Sequence, residues 1–309
     1  MLEYFIINLQ NRPEKLIHTY NELRKITKFD FVTRVEAETP DSVMKRDWHN
    51  IILHKDAFNN IRNPQNTNIL PNWESVACFF SHYKIWKRVI ESNLQECIII
   101  EDDIQITDID SFLMDYNNFI NTIKKNYNEH NIAMFITFNS KKFSSLLSDR
   151  EPIFFNNLGL NGIKFINAPF CGTHFYYINN PMAKFLIENI KIIKYQLDIE
   201  LGILAKKKYN NRLGINPYIF CNIPDASITQ SEDFKSDIQY HSLKLFELKN
   251  ILFLINSNFS EDICKIIYDF IPNCFKIIRK NDNNLKIKND YKNMYDFLDQ
   301  HSYHYRVNY

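Results

Sequence analysis

The sequence predicts an α/β protein built on an open, mostly parallel sheet flanked by helices. Three observations lead there. Apolar, β-branched runs alternate with segments of helical period from the first residues onward. One run, Ile98-Ile99-Ile100, is apolar at consecutive positions, the mark of a buried strand. The segment before it, Asn72 to Ser92, repeats Val76, Phe79, Phe80, Tyr83, Ile85, Trp86, Val89 and Ile90 at amphipathic helical spacing.

Tyr4 to Leu9 reads as the first buried strand. Asn8, Asn11 and Arg12 follow at its C-terminal end, and Pro13 opens a helix through Lys25, because proline's fixed φ suits the first helical turn. Phe29 to Val35 reads as a second strand. Residues 38–72 have weak periodicity and several Asn and Pro, so a long, partly ordered loop is expected, a length that usually goes with function or mobility. After the helix over Asn72 to Ser92 and the isoleucine strand come a helix over Asp110 to Tyr127 and a strand over Ile132 to Phe138. Ile163 to Ile178 reads as one or two strands around Pro169 and Gly172. A helix over Pro181 to Ile193 follows, then one over Asp198 to Lys208 with Asp198 in an N-cap position, then a short strand over Tyr218 to Asn222. Beyond about residue 245 the alternation restarts, with a strand at Ile251 to Ile255, a helix at Ser260 to Phe270 and a strand at Cys274 to Ile278. The expected division is a catalytic-sized domain over 1–245 and a small C-terminal α/β extension over 246–309, either separate or continuous with the same sheet.

The chain has 309 residues, 45% of them hydrophobic and 24% charged, enough for a sizeable core. Its formal net charge of +1 provides no electrostatic footprint for nucleic acid. Only 5 glycines occur, with no G-x-G-x-x-G and no Walker pattern, which disfavours dinucleotide-binding and P-loop chemistry. A phosphorylated ligand would have to be held by side chains and a metal. The cysteines, Cys78, Cys97, Cys171, Cys221, Cys264 and Cys274, are widely spaced among apolar neighbours and read as reduced core residues. The opening Leu2-Glu3-Tyr4-Phe5-Ile6-Ile7 lacks a basic leader, and no stretch approaches the roughly 20 apolar residues of a membrane span. A soluble, intracellular protein is expected.

The isoleucine strand ends in Glu101-Asp102-Asp103. Consecutive carboxylates repel one another, and a hard, oxygen-loving divalent cation such as Mn²⁺ or Mg²⁺ would relieve that. The C-terminal end of a strand in an open α/β sheet is also where such folds place ligands. The alternative is a polar loop with its acids in water.

Four segments together resemble glycosyltransferase family 25, which holds bacterial lipooligosaccharide sugar transferases and collagen hydroxylysine galactosyltransferases. They are Ile7-Asn8-Leu9-Gln10-Asn11-Arg12-Pro13-Glu14-Lys15, Ala77-Cys78-Phe79-Phe80-Ser81-His82-Tyr83-Lys84-Ile85-Trp86, Ile99-Ile100-Glu101-Asp102-Asp103, and Gln230-Ser231 followed by Ser236-Asp237-Ile238. The second resembles the family's Cys-x-x-Ser-His helix and the third its D-x-D equivalent. The likeness spans about residues 1–245, and the family's usual glycines are largely missing. It implies a GT-A type fold, a UDP-hexose donor and Mn²⁺ (or Mg²⁺).

On that resemblance Glu101 and Asp103 are expected to lead in metal binding, with Asp102 facing ribose or a backbone donor. Asn8 and Arg12 would hold uridine or phosphate, Arg through its planar fork; otherwise Arg12 is a surface residue before a helix. Ser81 and His82 would line the donor pocket, or else form a core pair. Asp198 would be the base that takes the acceptor hydroxyl's proton in an inverting transfer, or else a plain N-cap. His174 and His241 are further metal or phosphate candidates, or structural histidines. The implied acceptor is a lipooligosaccharide-type glycan or a collagen-like peptide with hydroxylysine or its glycan. Two other readings remain: a non-catalytic sugar-nucleotide or glycan-binding domain of the same fold, and a metal-dependent phosphohydrolase of nucleotide diphosphates.

Overall fold

The computed structural model describes residues 2–26, 32–45, 51–62, 69–126, 132–138, 164–166, 169–170, 172–209, 218–223, 228–231 and 234. The extension expected over 246–309 lies outside the described residues, as do His241 and Ser236-Asp237-Ile238.

The elements run β1 (Glu3–Asn8), α1 (Pro13–Arg24), β2 (Val32–Glu36), α2 (Pro40–Lys45), β3 (Ile52–Leu53), α3 (Lys55–Arg62), α4 (Trp73–Glu91), β4 (Glu96–Glu101), β5 (Ile104–Ile106) and α5 (Ile109–Asn126). They continue with β6 (Ala133–Thr137), β7 (Lys164–Phe165), β8 (Phe175–Asn179), α6 (Asn180–Asn189), β9 (Ile192–Ile193), α7 (Leu197–Tyr209), β10 (Tyr218–Asn222) and β11 (Ile228–Gln230). A seven-stranded sheet has the order β2-β1-β4-β8-β6-β10-β7. The pairs β2–β1, β1–β4 and β6–β10 are parallel, whereas β8 runs against both β4 and β6, and β7 against β10. The sheet is therefore mixed but mostly parallel.

Two apolar cores cover the two faces of this sheet, and strand parity assigns each side chain to one of them. Phe5, Ile7, Cys97, Ile99, Tyr176 and Ile178 pack with α4, α6 and α7. Tyr4, Ile6, Ile98, Ile100, Phe175 and Tyr177 pack with α1 and α5 on the other face. Double coverage is why the isoleucine run shows no alternation. It also fixes the direction of the next residue: Glu101 shares parity with Cys97 and Ile99 and points toward α4. The N-terminus of α4 is held by Asn72, whose side-chain oxygen accepts the Ser75 N–H at 2.9 Å.

The long loop expected over 38–72 is a correction: it contains α2, β3 and α3. Each is shorter than the window over which helical period is read, so the signal does not rise above the polar background. Val43, Ala57 and Ile61 are nevertheless buried, and β3 pairs with β9 through Ile52–Ile192 and Leu53–Ile193. The helix expected to reach Ile193 ends at Asn189, and Ile192 and Ile193 are that strand instead. Among the described residues Cys78, Cys97 and Cys221 are free thiols, the last two buried and Cys78 half-buried. Among the described residues no helix is long and apolar enough to cross a membrane.

Candidate active site

The site is assembled at the C-terminal end of β4. Glu101 closes the strand, Asp102 and Asp103 form the turn, and β5 leads away. Strand β8 runs antiparallel beside β4, so its opening residues arrive next to the acids. The Glu101 N–H donates to the His174 carbonyl at 2.9 Å. Thr173 Oγ1 donates to Glu101 Oε1 at 2.6 Å, and His174 Nδ1 lies 3.1 Å from Glu101 Oε2. From α4, His82 Nε2 approaches Glu101 Oε1 to 3.4 Å.

Burial works to raise the Glu101 pKa, but His174, through its charge and its hydrogen bond, and the nearby His82 imidazole prevail and hold the carboxyl well below the usual range. Burial likewise works to lower His174, and Glu101 overcomes it, holding the imidazole up at about 9. Asp103 is buried. Its Oδ2 accepts from Gln230 Nε2 at 2.9 Å and its backbone carbonyl from the Ser231 N–H at 2.7 Å. The antiparallel pairing of β11 with β5 thus carries Gln230-Ser231 onto the acidic turn. Asp103 Oδ1 accepts no hydrogen bond and lies 3.9 Å from His174 Nδ1, and burial followed by the Glu101 charge raises its carboxyl.

Ligand atoms of Glu101, Asp103 and His174 lie within 4.8 Å of one another. Two carboxylates and an imidazole that gives up its extra proton on binding, with one buried carboxylate oxygen accepting no hydrogen bond, fit a divalent cation such as Mn²⁺. Buried polar atoms are seldom left orphaned without a reason.

Asp102 points to the other side of the turn. Its Oδ2 accepts from Asn8 Nδ2 at 2.7 Å, and burial pushes its carboxyl up to about 6. The Asn8 amide also donates to the Arg12 carbonyl at 2.9 Å, and its oxygen accepts from Arg34 Nε at 2.9 Å. Asn8 therefore ties the start of α1 to the acidic turn. The Arg12 side chain pairs with Glu14 at 3.7 Å.

Ser81 and His82 are separated by the turn of the helix. The Ser81 hydroxyl donates to the Ala77 carbonyl and accepts the Glu38 N–H, each at 2.8 Å, so its partners lie in the core and not among the acids. His82 faces Glu101. Its Nδ1 is 2.9 Å from the Tyr176 hydroxyl, which also accepts from Trp86 Nε1 at 3.1 Å.

Asp198 is the second residue of α7 rather than its cap. Its Oδ1 accepts the Ile199 N–H at 2.8 Å and its Oδ2 the Gly172 N–H at 2.7 Å. Burial raises its carboxyl against those two donors. Gly172 has φ +89°, and a Cβ there would lie 2.8 Å from His174 Nε2. Asp198 and Gly172 together shape the turn that delivers Thr173 and His174.

Three contributors escaped the sequence reading. Thr173 had no signal beyond preceding a strand. Lys15 ends the first of the resembling segments and has no role assigned from sequence, yet it is buried and its charge draws Asp102 and Asp103 downward. Cys78, expected in the core, is half-buried, and after burial itself the charges of Glu101, Asp198, Asp103 and Asp102 push its thiol well up. The spacing of Cys78, His82 and Trp86 by fours along one stripe of α4 was the available signal.

A mixed, mostly parallel sheet flanked by helices, with acids at a strand's C-terminal end, is the architecture of a GT-A type glycosyltransferase. The profile of glycosyltransferase family 25 (LPS biosynthesis protein) matches residues 1–201, and the chain belongs to that family. It is 28% identical over 109 residues to the mouse (Mus musculus) protein named inactive glycosyltransferase 25 family member 3, covering 34% of this chain and 17% of that protein. It is 28% identical over 103 residues to human (Homo sapiens) procollagen galactosyltransferase 2, covering 33% of this chain and 16% of the relative. A glycosyltransferase 25 family member from Drosophila pseudoobscura pseudoobscura is 29% identical over 105 residues, covering 33% of this chain and 15% of that protein. The chain thus matches less than a fifth of the length of these relatives.

Proposed function

We propose that this protein is a metal-dependent hexosyltransferase that moves glucose or galactose from a UDP-sugar to a hydroxyl of a collagen-type hydroxylysine glycan or a lipooligosaccharide-type glycan. The observation that carries the reading is the convergence of Glu101, Asp103 and His174 at the C-terminal end of β4, with the buried Asp103 Oδ1 accepting no hydrogen bond. Glu101, Asp103 and His174 would hold Mn²⁺ or Mg²⁺, and the ion would supply positive charge against the diphosphate leaving group. Thr173 fixes the Glu101 carboxylate, with His82 beside it, while Gln230 and the Ser231 amide fix Asp103. Asn8, Arg12 and Asp102 form the face toward the nucleotide, with Lys15 adding a buried cation beside it.

Asp198 would take the acceptor hydroxyl's proton. Each of its oxygens accepts one amide and keeps a second lone pair, and its raised pKa makes it a better base. The non-catalytic reading draws support from the same two hydrogen bonds, since a residue that only shapes the Gly172 turn would make both.

The test is release of UDP from UDP-glucose or UDP-galactose by metal-stripped protein, with and without Mn²⁺, and with and without deglycosylated collagen or a galactoside. Metal-dependent release that rises with one acceptor supports the transferase. Release indifferent to every acceptor points to a hydrolase, and UDP binding without release points to the binding domain.

A further inference from the structure

We infer that Cys78, His82 and Glu101 form a second cation site, suited to a thiophilic ion such as Zn²⁺, which overlaps the acid site by sharing Glu101. Sγ of Cys78, an imidazole nitrogen of His82 and a Glu101 carboxylate oxygen all lie within 4.8 Å of one another. Two come from adjacent turns of α4 at i and i+4, the spacing that puts two ligands on one helix face. The third comes from the end of β4, aimed at α4 by strand parity. His82 is fully buried, and its Nε2 lies 3.4 Å from Glu101 Oε1 without a well-aligned hydrogen bond to it or to any other group. A buried nitrogen without a well-formed hydrogen bond, directed at a carboxylate beside a thiol, points to a cation as the partner the three groups would share.

The donor set separates the two sites chemically. Glu101, Asp103 and His174 contribute mostly hard oxygen, whereas Cys78 and His82 contribute sulfur and nitrogen, which select zinc-like ions. Three protein ligands with a fourth position open is a common zinc arrangement. A supporting partner for the imidazole is in place, because His82 Nδ1 lies 2.9 Å from the Tyr176 hydroxyl that Trp86 holds. With Nε2 on the ion, the ring proton sits on Nδ1 and is donated to the Tyr176 oxygen. The hydroxyl proton then turns away from the ring. Binding releases the Cys78 thiol proton to solvent. Cys78 as a residue is half-buried.

Sharing Glu101 makes the two sites competitors. Zn²⁺ bound through Cys78 draws the carboxylate from Asp103 and His174 and weakens Mn²⁺ binding there. This consequence rests on the acid-site reading proposed above; the thiol site itself does not.

The experiment uses the full, metal-stripped chain and Co²⁺ as a visible stand-in for zinc. A thiolate-to-cobalt charge-transfer band is expected to saturate at one equivalent and to collapse on adding Zn²⁺. It should vanish in Cys78→Ser and persist in His174→Ala. No band in the unsubstituted protein, or a band unchanged in Cys78→Ser, overturns the proposal. Should Cys78→Ser not fold, thiol alkylation of the unsubstituted protein followed by peptide mass analysis decides. Zn²⁺ at ten times its dissociation constant should slow Cys78 modification about tenfold by simple occupancy, and an unchanged rate overturns the site. Neither readout requires sugar transfer, so failure of the transferase reading and failure of this one are distinguishable.

Discussion

Tyr176 and Tyr177 are adjacent on β8 and both buried, yet Phe at the two positions should cost very different amounts. Tyr176 faces the α4 side, where its oxygen accepts from Trp86 Nε1 at 3.1 Å and pairs with His82 Nδ1 at 2.9 Å. Trp86 and His82 are both fully buried, so neither can recruit water when the hydroxyl is gone. Tyr176→Phe strands two buried groups, each carrying a desolvation penalty of about 1–3 kcal/mol, and about 2–4 kcal/mol in total is expected because the pair shares one oxygen. Tyr177 faces the opposite core and donates one hydrogen bond, 2.9 Å to Glu96 Oε2. Glu96 is half-buried at the start of β4 and can rehydrate, so Tyr177→Phe should cost about 1 kcal/mol. Urea unfolding of the two variants measures the difference, with unchanged m-values confirming that the same surface is exposed. Equal losses, or a greater loss at Tyr177, would refute the argument that the Trp86–Tyr176–His82 chain is a satisfied buried network supporting Glu101. A positive result has a further consequence: Tyr176→Phe should also weaken Mn²⁺ binding, about 10–100-fold if His82 orients the carboxylate.

Gly172→Ala forces a side chain into positive φ and against the His174 ring, so Mn²⁺ affinity measured by calorimetry should fall about tenfold or more, while stability falls by about 1–2 kcal/mol. Asp103→Asn should abolish metal-dependent UDP release yet unfold at no lower urea concentration than the parent, since it removes a buried charge whose carboxyl is already raised. Glu200 accepts the N–H groups of Lys194 and Tyr195 through Oε1, and burial raises its carboxyl. A raised folded pKa means its contribution to stability is full below the ordinary carboxylate range and is lost as pH rises through the raised value. Glu200→Gln keeps the acceptor without the charge and should be more stable than the parent at neutral pH, with the advantage disappearing in acid on parallel unfolding curves.

The fold was legible wherever an element is long and its burial one-sided or complete. The α4 helix, the isoleucine strand and the alternation around them need no tertiary information. What was not legible depends on partners distant in sequence. The helix α3 is eight residues long, and β3 is a strand only because Ile192 and Ile193 lie beside it. No local window over 38–72 contains that fact. The antiparallel course of β8 is similarly invisible from its apolar run alone, because direction is set by the path of the chain between strands and not by which residues are apolar.

The acids themselves were legible, because three consecutive carboxylates after a buried strand call for a cation or for water. Their division of labour was not, and parity explains why. Glu101 continues the β4 alternation onto the α4 face, while Asp102 and Asp103 belong to a turn and escape it. One therefore meets His82, Thr173 and His174, another meets Asn8, and the third is received by Gln230 and Ser231 from a strand more than a hundred residues later. A sequence motif records that acids are adjacent; only the sheet decides which neighbours each acquires. The same logic separates Ser81 from His82: neighbours in the Cys-x-x-Ser-His motif, they are turned apart by about 100° on the helix. His82 instead shares its stripe with Cys78 and Trp86. Reading that stripe by fours rather than as a contiguous motif is what brings a thiol, an imidazole and a carboxylate to one point.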